Sequence, residues 1–143
     1  MYSAGAQALI LAGVLSSLAA VAHLACIALG GAAFRLMGAG ERMARAVEAG
    51  RIQPILVTLG IAAVLSVWAA YAFSGAGVIG ELPFAKLVLP GISVVFLTRA
   101  FGFPVLRPFF PENSNTFWLV SSGICLVIGA LYATGTAAVW ARL

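Results

Sequence analysis

The sequence predicts an all-α membrane protein, a bundle of four transmembrane helices with a short interfacial helix in the first cytoplasmic loop. Hydrophobic residues make up 63% of the 143 residues, charged residues only 8%, and the mean hydropathy is +1.10, far above that of a soluble domain. A bilayer-spanning helix needs roughly 20 apolar residues, so the chain has room for four spans in a single domain and not for six. The apolar runs cover about 7–34, 54–74, 83–100 and 116–140.

The first apolar run follows a terminus without Lys or Arg, so the positive region of a secretory signal is missing. We therefore expect a retained transmembrane helix, although Ala20–Ala22 resembles a cleavage site. The alanine-rich stretch from Gly38 to Gly50 comes next, and Glu41 and Arg45 have the i,i+4 spacing of a helical ion pair. This spacing predicts a short interfacial helix between the first two spans.

Proline and polar residues mark where the other three spans begin. Pro54 and Pro83 are expected in the first helical turn, where the missing N–H costs nothing. Ser114 or Asn115 can cap the fourth helix. These positions agree with the boundaries of the apolar runs.

Proline also interrupts the second half of the chain. Inside the third run, Pro90 removes a backbone hydrogen bond, so we expect that helix to kink or open locally. The segment 102–115 contains three prolines among phenylalanines. It is too rich in proline for a helix and too apolar for a free linker, so we expect it to lie along the membrane surface.

The basic residues favour one orientation of the chain in the membrane. Lys86 and Arg142 lie on one side, and the first and third loops on the other side hold Arg35, Arg42, Arg45, Arg51, Arg99 and Arg107. The positive-inside tendency then places both loops in the cytoplasm and both termini outside. The chain has no basic stripe with interleaved aromatic residues, so we do not expect nucleic acid as a partner.

His23 is the one titratable side chain well inside a span. It either packs with a hydrogen bond to a neighbouring helix or contacts a ligand in a pocket that includes Tyr71 or Ser93. Cys26 and Cys125 lie at a comparable depth, and a cluster of the two with His23 would suit Cu(I), but we expect the cysteines to be small, reduced packing residues. Too few ligands accompany them for zinc or haem, and we expect no metal and no other cofactor.

Two further groups of residues are candidate binding surfaces. Arg35, Gln53 and Arg99 lie at the cytoplasmic ends of their spans and either bind a lipid phosphate or carboxylate or serve as topology anchors. The fourth span carries small residues at four-residue steps: Ser121, Cys125, Gly129, Ala133 and Ala137. A face of this kind allows helices to approach closely, either between subunits of a homo-oligomer or within one bundle.

The segments Phe34–Glu41 and Trp68–Gly77, with Phe117–Trp118 and Ser121–Leu126, give the chain a resemblance to small four-helix inner-membrane proteins of bacteria. The resemblance implies a fold and a compartment, and it carries no activity and no functional residue.

Reactive side chains are scarce in this sequence, which has no Asp, four Glu, one His and two Cys. No nucleophile with an adjacent base is evident. We therefore expect an accessory subunit of a larger membrane complex or a binder of lipid-like molecules, with membrane lipids as partners. Two alternatives are a small membrane enzyme that uses His23 on an isoprenoid or lipid, and an oligomeric channel or carrier.

Overall fold

The computed structural model describes residues 1–143, which form helices and connecting turns with no strands. In chain order the α-helices are α1 (Ala4–Leu29), α2 (Gly31–Leu36), α3 (Glu41–Glu48), α4 (Gln53–Ala76), α5 (Ala85–Phe101), α6 (Phe103–Leu106) and α7 (Asn115–Val139). Two 3-10 turns follow α6 and α7, at Arg107–Phe109 and Trp140–Arg142. The predicted all-helical class is confirmed.

Three helices are long and apolar enough to cross a membrane: α1, α4, and α7 with its following turn. A fourth candidate is α5 joined to the segment Phe103–Phe109, if the two helices form one span across their 61° bend. The chain therefore has three to four candidate membrane-spanning helices, as a multi-pass membrane protein would.

The first apolar run is divided between two helices. The helix predicted to continue to Phe34 ends at Leu29, because Gly30 has a φ of 82°, a backbone conformation that glycine adopts without steric cost. The Gly30 N–H closes the helix by donating to the Cys26 carbonyl. The separate helix α3 lies within the stretch from Gly38 to Gly50, where a short helix was predicted.

The starts of two long helices follow the predicted signals. Pro54 lies in the first turn of α4, and Ser114 caps α7 by accepting a hydrogen bond from the Phe117 N–H at 3.0 Å. The start of α5 differs, since Pro83 lies before the helix and Phe84 has a φ of 60°. A bulky residue in the left-handed region cannot continue an α-helix, so α5 begins at Ala85.

Two predictions concern proline in the second half of the chain. α5 runs through Pro90 to Phe101, although Pro90 has no N–H to donate to the carbonyl one turn earlier. The prediction that 102–115 is too rich in proline for a helix is wrong for 103–109, which forms α6 and a 3-10 turn. Pro104 and Pro108 lie in the first turns of these two short elements, where proline is tolerated.

The bundle is organised around α1, which packs extensively along α4 and α7, while α5 packs mainly along α7. Small side chains fill these contacts, and the buried positions of α1 are mostly glycine, alanine and serine. Large apolar side chains point outward instead, among them Leu18, Val21, Val67, Leu87 and Leu119, which are 53–75% exposed. Close helix approach through small residues is typical of helices that associate in lipid.

Candidate functional site

Tyr132 of α7 is completely buried and connects the four long helices. Its hydroxyl donates to the Trp68 carbonyl of α4 at 3.0 Å and lies 3.0 Å from Ser16 Oγ of α1. The single phenol proton goes to the carbonyl, so Ser16 is the donor in the second hydrogen bond. The Tyr132 ring stacks on Phe96 of α5, with 5.9 Å between the centroids.

Sequence reasoning did not select Tyr132. The available signal was one tyrosine in the middle of an apolar run, because a phenol hydroxyl buried there requires a hydrogen-bond partner. Its partners lie on helices distant in sequence, so the pattern along α7 could not identify them.

A second cluster of polar side chains lies at one end of the bundle, which we call the Arg-rich end. Helices α1 and α5 finish at this end, and α4 and α7 begin there. Arg99 Nη2 donates to Ser121 Oγ at 2.9 Å, and the guanidinium carbon lies 5.2 Å from the centroid of the Trp118 ring. Ser122 follows one turn after Trp118 on the same helix. We call Arg99, Trp118, Ser121 and Ser122 the Arg99 cluster.

The Arg99 cluster contains three buried polar atoms without a hydrogen-bond partner: Nη1 of Arg99, Nε1 of Trp118 and Oγ of Ser122. Trp118 is 3% exposed and Ser122 is 9% exposed. No carboxylate pairs with Arg99, since the ion pairs of the chain involve only Arg35 and Arg45 as cations. The cluster therefore carries unpaired donors and a positive charge.

Aromatic side chains surround Trp118. Phe117 packs edge-on against it, with ring centroids 5.5 Å apart, and Phe110 does so at 6.5 Å. Phe117 also covers Gly38, where there is no room for a Cβ, and Asn113 Nδ2 donates to the Gly38 carbonyl at 3.1 Å. The α2–α3 turn is thereby held against the start of α7.

Arg35 is bound by the carboxylates of α3. Its Nε donates to Glu41 at 2.8 Å and its Nη1 donates to Glu48 at 2.6 Å, while Arg45 donates to Glu41 at 3.0 Å. Hydrogen bonds from Arg35 and then Arg45 lower the pKa of Glu41 to about 2, and the bond from Arg35 also lowers the pKa of Glu48. The predicted Glu41–Arg45 ion pair is confirmed.

The three predicted head-group residues have different surroundings. Arg35 is engaged by α3, Arg99 is bonded to α7, and Gln53 is exposed at the start of α4. Of these three, Arg99 is the one with an unpaired buried donor. Of the three, Arg99 is therefore the strongest candidate for binding a head group. Its contacts lie on α7, which the sequence pattern did not associate with Arg99.

The three predicted pocket residues each bond to a different backbone carbonyl. His23 Nδ1 lies 2.7 Å from the Ala19 carbonyl, one turn earlier in its own helix, rather than from a group on a neighbouring helix. Tyr71 donates to the Pro83 carbonyl at 3.0 Å, and Ser93 donates to the Gly129 carbonyl at 2.9 Å. These bonds hold the three side chains at separate parts of the backbone, and they do not join the side chains into one pocket.

The small-residue face of α7 makes close contacts within the chain. A Cβ at Gly129 would lie 2.9 Å from Leu97 and 3.1 Å from Phe96, both on α5. Ser121 accepts a hydrogen bond from Arg99, which is also on α5. Cys125 and Ala133 are half-buried, while Ala137 is exposed.

A further close approach, between Gly5 of α1 and Gly135 of α7, was not predicted. A Cβ at Gly135 would lie 3.1 Å from the Gly5 carbonyl oxygen and 2.8 Å from Leu9. A side chain on Gly135 would therefore meet the backbone of α1, which cannot move aside as a flexible side chain can.

A cavity of about 440 Å³ opens at the opposite end of the bundle. The α4–α5 connection and the end of the chain line it, with Glu81, Lys86 and Arg142 as its charged residues. Lys86 Nζ lies 5.9 Å from the centroid of the Trp140 ring. The structure brings together no group of three His, Cys, Asp or Glu side chains that could hold a metal ion.

Comparison with known proteins assigns no function to these residues. No family model matches the chain, and no curated protein or solved structure matches it at a significant level. Function is therefore inferred from the residues and distances given above.

Proposed function

We propose that the chain is a four-span protein of the bacterial inner membrane that binds lipid-like amphiphilic molecules and acts as an accessory subunit without covalent chemistry. The observation that carries this proposal is the distribution of side chains across the bundle. Large apolar side chains cover the outside of the long helices, and hydroxyl groups such as those of Ser16, Ser93 and Tyr132 are hydrogen-bonded inside. This arrangement suits a hydrocarbon solvent, because water would favour the reverse.

The hydrogen bonds of the polar side chains favour binding over catalysis. His23, Tyr71 and Ser93 each bond to a separate backbone carbonyl, and no nucleophile and base lie in contact among them. Membrane lipids and a larger membrane complex remain the proposed partners. Basic residues are concentrated at the Arg-rich end, which supports an orientation with both termini outside.

Reporter fusions after Leu143 test the orientation. We expect alkaline phosphatase to be active there and a reporter that works only in the cytoplasm to be silent, because six basic residues lie on one side and two on the other. The protein should also stay with the membrane fraction after extraction with alkaline carbonate. The reverse reporter pattern contradicts the orientation, and release by carbonate contradicts membrane insertion.

Mass spectrometry of the protein in mild detergent tests the binding function. We expect one or more cellular amphiphiles to remain bound through purification and to be removed only by a harsher detergent. A protein that retains no amphiphile under conditions in which it stays folded would contradict this part of the proposal.

A further inference from the structure

Most of the buried, unpartnered polar side-chain atoms of the chain belong to Arg99 and the first turns of α7. Three of the four belong to the Arg99 cluster, and the fourth is Thr136 Oγ1 in α7. An unpaired buried donor costs free energy, and a buried guanidinium nitrogen costs more because it carries charge. An acceptor supplied from outside the chain would remove this cost.

Each of the three atoms can donate a hydrogen bond. The guanidinium and the indole can only donate hydrogen bonds, and the hydroxyl of Ser122 can donate as well. A ligand that satisfies all three presents acceptor atoms, and negative charge would balance Arg99, which has no carboxylate partner. A phosphate group has more acceptor oxygens than a carboxylate, so it can accept from three donors at once.

The surrounding contacts hold the donors in place. The bond from Nη2 to Ser121 and the contact with the face of the Trp118 ring orient the guanidinium. Trp118 is fixed in turn by Phe110 and Phe117. Donors that are already oriented lose little conformational entropy when the ligand binds.

We propose that Arg99, Trp118 and Ser122 form a binding site for a phosphate group. The proposal deepens the proposed function and rests on it, because a spanning bundle places the last turn of α5 and the first turns of α7 at the depth of lipid head groups. An anionic phospholipid or free inorganic phosphate could supply this chemistry, and the experiment below distinguishes them.

The test uses the fluorescence of Trp118 in the full chain. Trp68→Phe and Trp140→Phe leave Trp118 as the only tryptophan, and detergent-solubilised protein is titrated separately with phosphatidylglycerol, diacylglycerol and inorganic phosphate at constant ionic strength. We expect phosphatidylglycerol to give a saturable change and diacylglycerol, which lacks phosphate, to give none. A saturable change with inorganic phosphate alone would support the site and identify free phosphate as its ligand.

Variants connect the signal to the site. Arg99→Gln should weaken binding about tenfold or more, since it removes charge-assisted hydrogen bonds. Arg42→Gln is the matched control, because it removes the same charge from an exposed position of α3 and should change affinity less than about twofold. Equal effects of the two substitutions, or no saturable change with either phosphate source, would overturn the site.

Ser122→Ala keeps the test valid if Arg99→Gln fails to fold. It removes one unpaired hydroxyl, so we expect weaker phosphate binding without a lower melting temperature of the ligand-free protein. A residue with a purely structural role would show the opposite pattern, a lower melting temperature with unchanged affinity. Phospholipid retained by the wild type and by Arg99→Gln with equal affinity would overturn the phosphate site and leave the membrane function standing.

Discussion

At the scale of single residues, hydrogen bonds from a few side chains join separate helices of this bundle. Tyr132 joins α7 to α1 and α4 through one hydroxyl, and Arg35 joins α2 to both ends of α3 through one guanidinium. Apolar contacts alone would hold the long helices together less selectively, because their exposed and buried surfaces are both hydrophobic. Two predictions concern these residues.

Replacing Tyr132 with Phe should destabilise the folded protein in detergent by about 1–2 kcal/mol. The substitution removes the hydroxyl and leaves Ser16 Oγ without its buried partner. A double-mutant cycle with Ser16→Ala, measured by thermal or denaturant unfolding, should give a coupling of at least about 0.5 kcal/mol. Ser66→Ala is the control, since Ser66 bonds only to the Ala62 carbonyl of its own helix. Additive effects of Tyr132→Phe and Ser16→Ala would show that the hydrogen bond contributes nothing specific.

The contact between α2 and α3 should weaken in acid. The pKa of Glu41 is lowered from 4.5 to about 2 in the folded state, and the pKa of Glu48 is also lowered. A lowered pKa adds stability above the unfolded value and loses it as the pH falls toward the folded value. We therefore expect the protection factors of the α3 amides, which correct for the intrinsic pH dependence of exchange, to be constant above pH 5 and to fall between about pH 4.5 and 2.

The control for the acid prediction is Glu41→Gln. The α3 amides of this variant should have lower protection factors at neutral pH and lose much less protection in acid, because its remaining titratable partner of Arg35 is Glu48. Identical pH profiles in the variant and the wild type would contradict a role for Glu41 in holding α3.

At the scale of helices, glycines of α7 determine how closely its neighbours approach. Gly129 faces side chains of α5, Gly135 faces the backbone of α1, and Gly123 faces open space. The same substitution therefore meets three different surroundings along one helix. We expect Gly135 to tolerate a side chain least, because the backbone atoms that it faces cannot rotate aside.

Alanine at each of these glycines should produce graded effects on stability. We expect Gly135→Ala to lower stability by about 1–3 kcal/mol, Gly129→Ala to lower it less, and Gly123→Ala to be neutral or slightly stabilising. Thermal unfolding in detergent measures the order, and light scattering checks that the mass stays constant. A smaller species formed only by Gly129→Ala would show that this glycine lies at a subunit interface rather than only against α5.

At the scale of the whole molecule, the number of spans depends on α5 and the bent segment after it. α5 has 17 residues, and the 61° bend turns the segment Phe103–Phe109 away from its direction. We expect α5 to cross the membrane and the bent segment to lie at the Arg-rich surface, where exposed Val105 and Phe109 would contact head groups and acyl chains.

Single cysteines introduced on a Cys26→Ser, Cys125→Ser background test this arrangement. Arg51→Cys and Phe109→Cys should react with a membrane-impermeant maleimide from one side, and Glu81→Cys from the other side only. These positions are all exposed, so burial does not limit the reaction. Reaction of Glu81→Cys and Phe109→Cys from the same side, opposite to Arg51→Cys, would mean that α5 does not span and that the chain has fewer than four spans.

The amino-acid sequence by itself determined the helical class, the approximate position of each long helix and two helix starts, at Pro54 and Ser114. These features depend on local physics: a run of apolar residues satisfies its backbone hydrogen bonds within one helix, and proline or a capping serine marks its first turn. The Glu41–Arg45 pair belongs to the same group, because both residues lie on one helix.

Only the tertiary structure decided which helix faces meet and which polar groups become partners. Lipid and protein interior are both apolar, so the sequence of a spanning helix carries little signal for the side that is buried. Arg99 of α5 contacts Trp118 and Ser121 of α7. Arg35 bonds to a carboxylate 13 residues away in the sequence. Tyr132 finds its partners on α1 and α4. Such contacts depend on how whole helices pack, and spacing along the chain cannot specify them.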